Sequence, residues 1–155
     1  MNQIFSNDVV LSESELLREI SNLKSKIYDL EIERKISRKI INQYKSIFPK
    51  ISDPLLLTDV DGKIIDANRE FIDLLGYTLF DLKRMTIKSL TPMNLHENET
   101  KLLNEELLEN KRIESRWCEF YKINGQKIPV ELSINANYDD NGNFDSISRI
   151  VKSTL

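Results

Sequence analysis

The chain has 155 residues, 30% of them charged, and a formal net charge of -3. That balance supplies no basic excess for nucleic-acid binding, and no apolar run approaches the ~20 residues of a membrane-spanning helix. The single cysteine, Cys118, excludes an internal disulfide framework and fits a reducing, cytoplasmic compartment.

The start, Met1 to Asp8, lacks the charged-then-apolar order of a secretion signal, and residues 1–11 read as a flexible terminus. Residues 12–48 then read as one helix in a seven-residue register. Leu16, Ile20, Leu23, Ile27 and Leu30 alternate steps of four and three. Ile41, Tyr44 and Phe48 continue the frame, and Arg34 and Ser37 interrupt it. Such a stripe is the seam of a coiled coil. Flanking positions pair Glu19 with Lys24, Lys26 with Glu31, and Glu33 with Arg38, each five residues apart and opposite in sign. Those positions meet across a parallel two-stranded coil, so a parallel homodimer is expected. The basic cluster Arg34, Lys35, Arg38 and Lys39 reads as a solvated face of the same helix, because acids flank it.

Pro49 and Pro54 bracket a hinge over residues 49–54, since proline cannot continue a helix. A domain over residues 55–155 follows. Leu55 to Asp59 and Lys63 to Asp66 flank Asp61-Gly62 and read as a hairpin. Asp66 is the expected cap of a helix from Ala67 to about Leu75, ended by Gly76. Tyr77 to Leu90 reads as short helices and loops anchored by Leu79, Phe80, Leu82, Met85, Ile87 and Leu90. Thr91-Pro92 is expected to cap and start a longer helix to about Asn110, with Leu95, Leu102, Leu103 and Leu107 inward. Three longer strands come last, Ile113 to Ile123, Gln126 to Tyr138 and Asn143 to Thr154, joined by Asn124-Gly125 and Asn141-Gly142. Apolar residues occur on both sides of the last strands, so the second sheet face is expected to be covered by the helix end or by a partner copy.

From about Ile51 onward the chain resembles a PAS domain. The resemblance rests on an ordered set of residues: Asp61-Gly62-Lys63-Ile64, Asp66-Ala67-Asn68, Leu74-Leu75-Gly76-Tyr77, Asp81-Leu82 and Leu90-Thr91-Pro92. The set continues with Asn124-Gly125, Ile128-Pro129-Val130-Glu131-Leu132 and Asn141-Gly142. It implies an α+β fold, a five-stranded antiparallel sheet with helices on one face, preceded here by the long coiled-coil helix. It also implies a sensory or regulatory module in signal transduction, which binds a small molecule or serves as a ligand-free dimerisation scaffold. Where the family pattern often closes with Asp-Ile-Thr, this sequence has Ser153-Thr154-Leu155. No kinase, cyclase or DNA-binding sequence follows, so output is expected through the helix or through a separate signalling protein.

The chemistry expected of the pocket is modest. Light-sensing relatives bond flavin through a cysteine in an Asn-Cys-Arg-Phe setting, and Arg84 to Pro92 contains none. Cys118 reads as a packing residue. Haem-binding relatives need an axial histidine on the long helix. His96, the only histidine, lies in that helix's first turn and reads as a pocket residue or as one bonded to nearby backbone rather than a haem ligand. A small metabolite or no ligand is expected in place of flavin or haem. Trp117, Glu119 and Tyr121 share one face of a strand, opposite Arg116, Cys118 and Phe120. If the first set faces the helices, Trp117 and Tyr121 wall the pocket. Asn68, Phe71 and Met85 complete the pocket candidates, with Asn68 weighed chiefly as a backbone-bonding residue. No catalytic triad, glycine-rich phosphate loop or metal-ligand spacing occurs, and no enzymatic activity is expected.

Overall fold

The computed structural model describes residues 12–154; residues 1–11, where the flexible terminus was expected, and Leu155 lie outside the described residues, as do the side chains of Leu102, Leu103 and Asn104. The chain divides into two units, one ending at Ser46 and one beginning at Ile47.

The described part of the first unit is Ser12 and helix α1, Glu13–Ile47, whose last residue falls in the second unit and whose 35 residues include no buried side chain. A reciprocal cap opens it. Ser12 Oγ accepts from Glu15 N at 3.3 Å, and the Glu15 carboxylate accepts from Ser12 N at 2.8 Å. The Ser12 N–H, joined by the Ser12 hydroxyl, which donates to the same carboxylate at 2.8 Å, holds the Glu15 carboxyl below its usual range, and the cap satisfies amides that the first turn leaves open. Leu16, Ile20, Leu23, Ile27, Leu30, Ile41 and Tyr44 are 43% to 63% exposed. Phe48, expected in the same register, departs from this exposed stripe. Pro49 ends the α-helix, so Phe48 falls in a 3-10 turn, Phe48–Lys50. It belongs to the second unit and is 9% exposed.

The second unit begins with a hairpin, β1 (Leu55–Asp59) and β2 (Ile64–Ala67). Its turn closes because the Asp59 carboxylate accepts from Asp61 N and Lys63 N. Gly62 holds φ +84°, and a Cβ there would lie 2.9 Å from Ile87 Cγ2, so both conformation and space require glycine. Helices α2 (Arg69–Leu75), α3 (Leu79–Leu82) and α4 (Ile87–Leu90) follow. The cap of α2 is Asn68 rather than the expected Asp66, because β2 runs on to Ala67 before the chain turns. Phe80, expected as an anchor, is 70% exposed, with the Arg84 guanidinium 5.5 Å from its ring centroid.

The expected helix to Asn110 is present but composite. A 3-10 turn, Met93–Leu95, leads into α5 (His96–Lys101), a π-helical stretch Leu102–Leu107, and α6 (Leu108–Asn110). Thr91 does not cap it. Its hydroxyl donates to Ile87 O at 3.2 Å and so closes α4 instead. Strands β3 (Arg112–Tyr121), β4 (Lys127–Tyr138) and β5 (Phe144–Thr154) complete the sheet.

The five strands are antiparallel in the order β2-β1-β5-β4-β3. Pairing of Leu56 with Arg149, Ile134 with Arg149 and Leu132 with Arg116 puts all of these on one face. Phe120 shares that face and meets Phe71 of α2 edge to face, centroids 5.9 Å apart. This is the helix-covered face, and it carries the core: Leu56, Phe71, Leu75, Leu82, Leu90, Leu107, Phe120, Val130, Leu132, Ile134, Ile147 and Val151. On β4 the other face is polar, with Glu131, Ser133, Asn135 and Asn137.

Candidate functional site

At the centre of the helix-covered face the sheet presents a charge. Arg149 lies on β5, the middle strand, and is 1% exposed. Its Nη1 donates to Thr58 Oγ1 on β1 at 2.9 Å, and its Nη2 donates to Glu99 Oε1 on α5. Its Nε is buried and has no partner among the described residues. Burying a guanidinium is costly unless it is paired and its remaining donors are satisfied, so this ion pair is incomplete as packing.

A cavity of about 60 Å³ lies beside Glu99, lined also by Thr91, Leu95, Asn98, Arg116, Trp117 and Cys118. Arg116 Nη1 is 3.6 Å from Glu106, and its Nη2 donates to Asn98 O at 3.3 Å. Burial pushes the Cys118 thiol up to about 12, and the Glu99 carboxylate adds to the rise. Cys118 is therefore a neutral packing group on the inner face of β3.

The candidates chosen from sequence do not assemble into one pocket. Asn68 is buried and wholly occupied with backbone. Its Oδ1 accepts from Leu55 N at 2.8 Å and Phe71 N at 3.1 Å, while its Nδ2 donates to Asp53 O at 2.8 Å and Ile51 O at 3.2 Å. It thus ties the segment after α1 to β1 and α2. His96 donates from Nε2 to Lys88 O at 2.8 Å and lies 3.1 Å from Thr91 O. Carbonyls only accept, so Nε2 carries the proton and the ring is anchored to backbone. Phe71 is core. Met85 lines a surface groove with Tyr77, Asp81, Arg84 and Ile123.

Trp117 and Tyr121 are corrected by the pairing register. Trp117 stands opposite Glu131 and Tyr121 opposite Lys127, so both side chains lie on the face away from Phe120. Trp117 is 50% exposed. The condition that this set face the helices fails because Phe120 and Cys118 pair with Ile128 and Val130, on the apolar side of β4, and turn inward with them, although Trp117 still borders the cavity beside Glu99.

Sequence reading missed Arg149 and Glu99. The signal was present for Arg149: a lone charge two residues from Ile147 and from Val151, hence on their face of the strand. Nothing comparable marks Glu99 among the acids of α5. Among the described residues no group of three or more His, Cys, Asp or Glu is placed to hold a metal ion. Nor is any described helix long and apolar enough to cross a membrane.

Comparison with known proteins agrees with this geometry. The sensor histidine kinase TmoS of Ectopseudomonas mendocina is 29% identical over 93 residues, which cover 59% of this chain and 10% of that protein. The chain therefore matches only about a tenth of the kinase's length. The PAS domain of a Colwellia psychrerythraea protein superposes with a TM-score of 0.66 at 19% identity, covering 74% of this chain and 96% of that one. A PAS domain from Desulfitobacterium hafniense gives 0.56 at 28% identity, covering 66% and 93%. The sequence model of the PAS domain matches residues 52–152, and the chain belongs to that family of signal-transduction sensor domains.

Proposed function

We propose that the chain is a homodimeric sensory module without catalytic activity. In this reading two copies join in parallel along α1, a small molecule or partner biases the packing of helices against the sheet, and the change passes through residues 49–54 into α1 or to a separate signalling protein. A ligand can act this way only through different affinity for two arrangements. The observation that carries the reading is the α1 seam: apolar residues in one register, left exposed in the single chain, flanked by complementary charges. An isolated helix with such a stripe is completed by a second copy. Mass measurement by light scattering at micromolar concentration is expected to give a dimer; a monomer overturns it.

For the ligand, the reading favours a small metabolite over flavin or haem. Among the described residues, the space beside Glu99 is about 60 Å³, roughly two water volumes, and the His96 Nε2 that would meet a haem iron is engaged with carbonyls. Native mass spectrometry and an absorption spectrum of freshly purified protein test this. A coloured cofactor would overturn it. The second reading, a ligand-free dimerisation or docking scaffold, is favoured by the same close packing, and absence of any co-purified mass would select it.

A further inference from the structure

We propose that Arg149 anchors an interior site for a small carboxylate, and that Glu99 occupies this site as a built-in competitor. The proposal rests on the sensory reading above and names the ligand class for it. A guanidinium presents five donors in a planar fork, and a carboxylate meets one edge of that fork with two parallel hydrogen bonds. Among the described residues Arg149 has no such match. Thr58 takes Nη1, one oxygen of Glu99 takes Nη2, and the buried Nε is left over. The Nε–Nη2 edge is therefore half used, by a side chain from a helix rather than from the sheet.

Two features let another carboxylate compete. The cavity of about 60 Å³ abuts Glu99 itself and does not include Arg149 in its lining, so a carboxylate reaches the guanidinium as Glu99 swings away and adds its own volume to the space. Its other charged wall is Arg116, a second cation, and Cys118 supplies an uncharged surface. Glu99 rides on α5, six residues long, which runs directly into the π-helical Leu102–Leu107; such turns interrupt helices at functional sites. A two-carbon carboxylate taking both Nε and Nη2 would satisfy the leftover donor and release Glu99. Occupancy would then be read as a shift of α5 against the sheet. Because Glu99 is tethered, it competes at the millimolar effective concentration of an intramolecular partner, so wild-type affinity is expected to be weak.

The test uses the full chain and sodium acetate, with sodium chloride at equal ionic strength as control. In wild type, acetate raises the melting temperature where chloride does not. In Glu99→Gln, which keeps the shape and removes the competing charge, the same rise occurs at least ~10-fold lower in acetate. In Arg149→Met the acetate-specific rise is lost. Equal shifts in acetate and chloride for both wild type and Glu99→Gln overturn the proposal, as does an acetate-specific rise that survives in Arg149→Met. Should Arg149→Met fail to fold, the wild-type and Glu99→Gln pair decides alone. If acetate fails but native mass spectrometry finds a bound molecule of another chemistry, the carboxylate site falls and the sensory reading stands. If no molecule is bound at all, both fall.

Discussion

Helix α1 and the sheet domain are built from similar side chains and treat them in opposite ways. α1 leaves its leucines and isoleucines exposed along 35 residues. The sheet domain buries its own, and closes on itself by pairing β1, near residue 55, with β5, near residue 150. The difference lies in topology. A single helix offers one curved surface and has nothing of its own to cover the seam, whereas five strands with crossing helices enclose a core within one chain. Polar groups follow the same division. The charges of α1 are at its surface, while the domain seals Arg149 and Asn68 inside and must bond them. The helix should therefore answer to concentration and the domain should not.

The sharpest break of that contrast is a charge in the seam. Ile27→Asp places a carboxylate where a partner helix would have to desolvate it, and the dimer Kd is expected to rise at least ~100-fold, about 3 kcal/mol. Analytical ultracentrifugation reads the change. The melting temperature of the domain should stay fixed, since its core cluster is drawn from Leu56 to Val151. Phe48→Ala is the mirror experiment. Phe48 continues the heptad frame on paper but is buried with the second unit, so the loss should appear as about 3 kcal/mol of domain stability in urea, with Kd changed by less than ~3-fold. A variant that weakens association and spares stability would return Phe48 to the seam.

Asn68→Ala comes next in size. It removes the α2 cap, worth about 1 kcal/mol, and strands the buried Leu55 N–H and the Asp53 carbonyl, for a total of about 2–3 kcal/mol. Asn68→Asp separates the two halves of the role. Its carboxylate still accepts from Leu55 N and Phe71 N but cannot donate to Ile51 or Asp53. If the two variants are equally unstable, the donor half, which ties down the segment after α1, is the one that matters. Equal stability of Asn68→Asp and wild type would mean that the tie contributes nothing.

The strands were legible because their turns are chemically explicit. Asn124-Gly125 and Asn141-Gly142 place glycines at positive φ, and the alternation on β4 then sets which face turns inward. The identity of the α2 cap was not legible, since Asp66 and Asn68 are both good caps and only the length of β2 chooses between them. The inner face of β3 was ambiguous for a similar reason. Trp117 and Tyr121 on one side compete with Phe120 and Cys118 on the other, and the choice is made by the partner strand, through Val130 and Ile128. The Arg149–Glu99 pair spans fifty residues, and no local pattern connects its ends. The long helix α1 was the easiest element to read, because a heptad is a purely local signal.

The substitution with the smallest expected effect on neutral-pH stability lies at Cys118 and probes the domain alone, because α1 has no cysteine. Burial pushes the Cys118 thiol up to about 12, whereas an unfolded thiol ionises near ~8.5. The folded state thus holds a proton that the unfolded chain gives up as the pH rises. Stability is complete below about pH 8 and falls between the unfolded value and about 12, the sign required when the unfolded state binds fewer protons. At pH 8.5 iodoacetamide should alkylate the native protein at least ~100-fold more slowly than the urea-unfolded chain, since the thiolate is the nucleophile. Cys118→Val should keep the neutral-pH stability within about 1 kcal/mol and remove this part of the alkaline slope. Alkylation of the native protein at the unfolded rate would place the inner face of β3 in water, and the contrast between a self-covered sheet and an uncovered helix would collapse at the strand beside the Arg149 site.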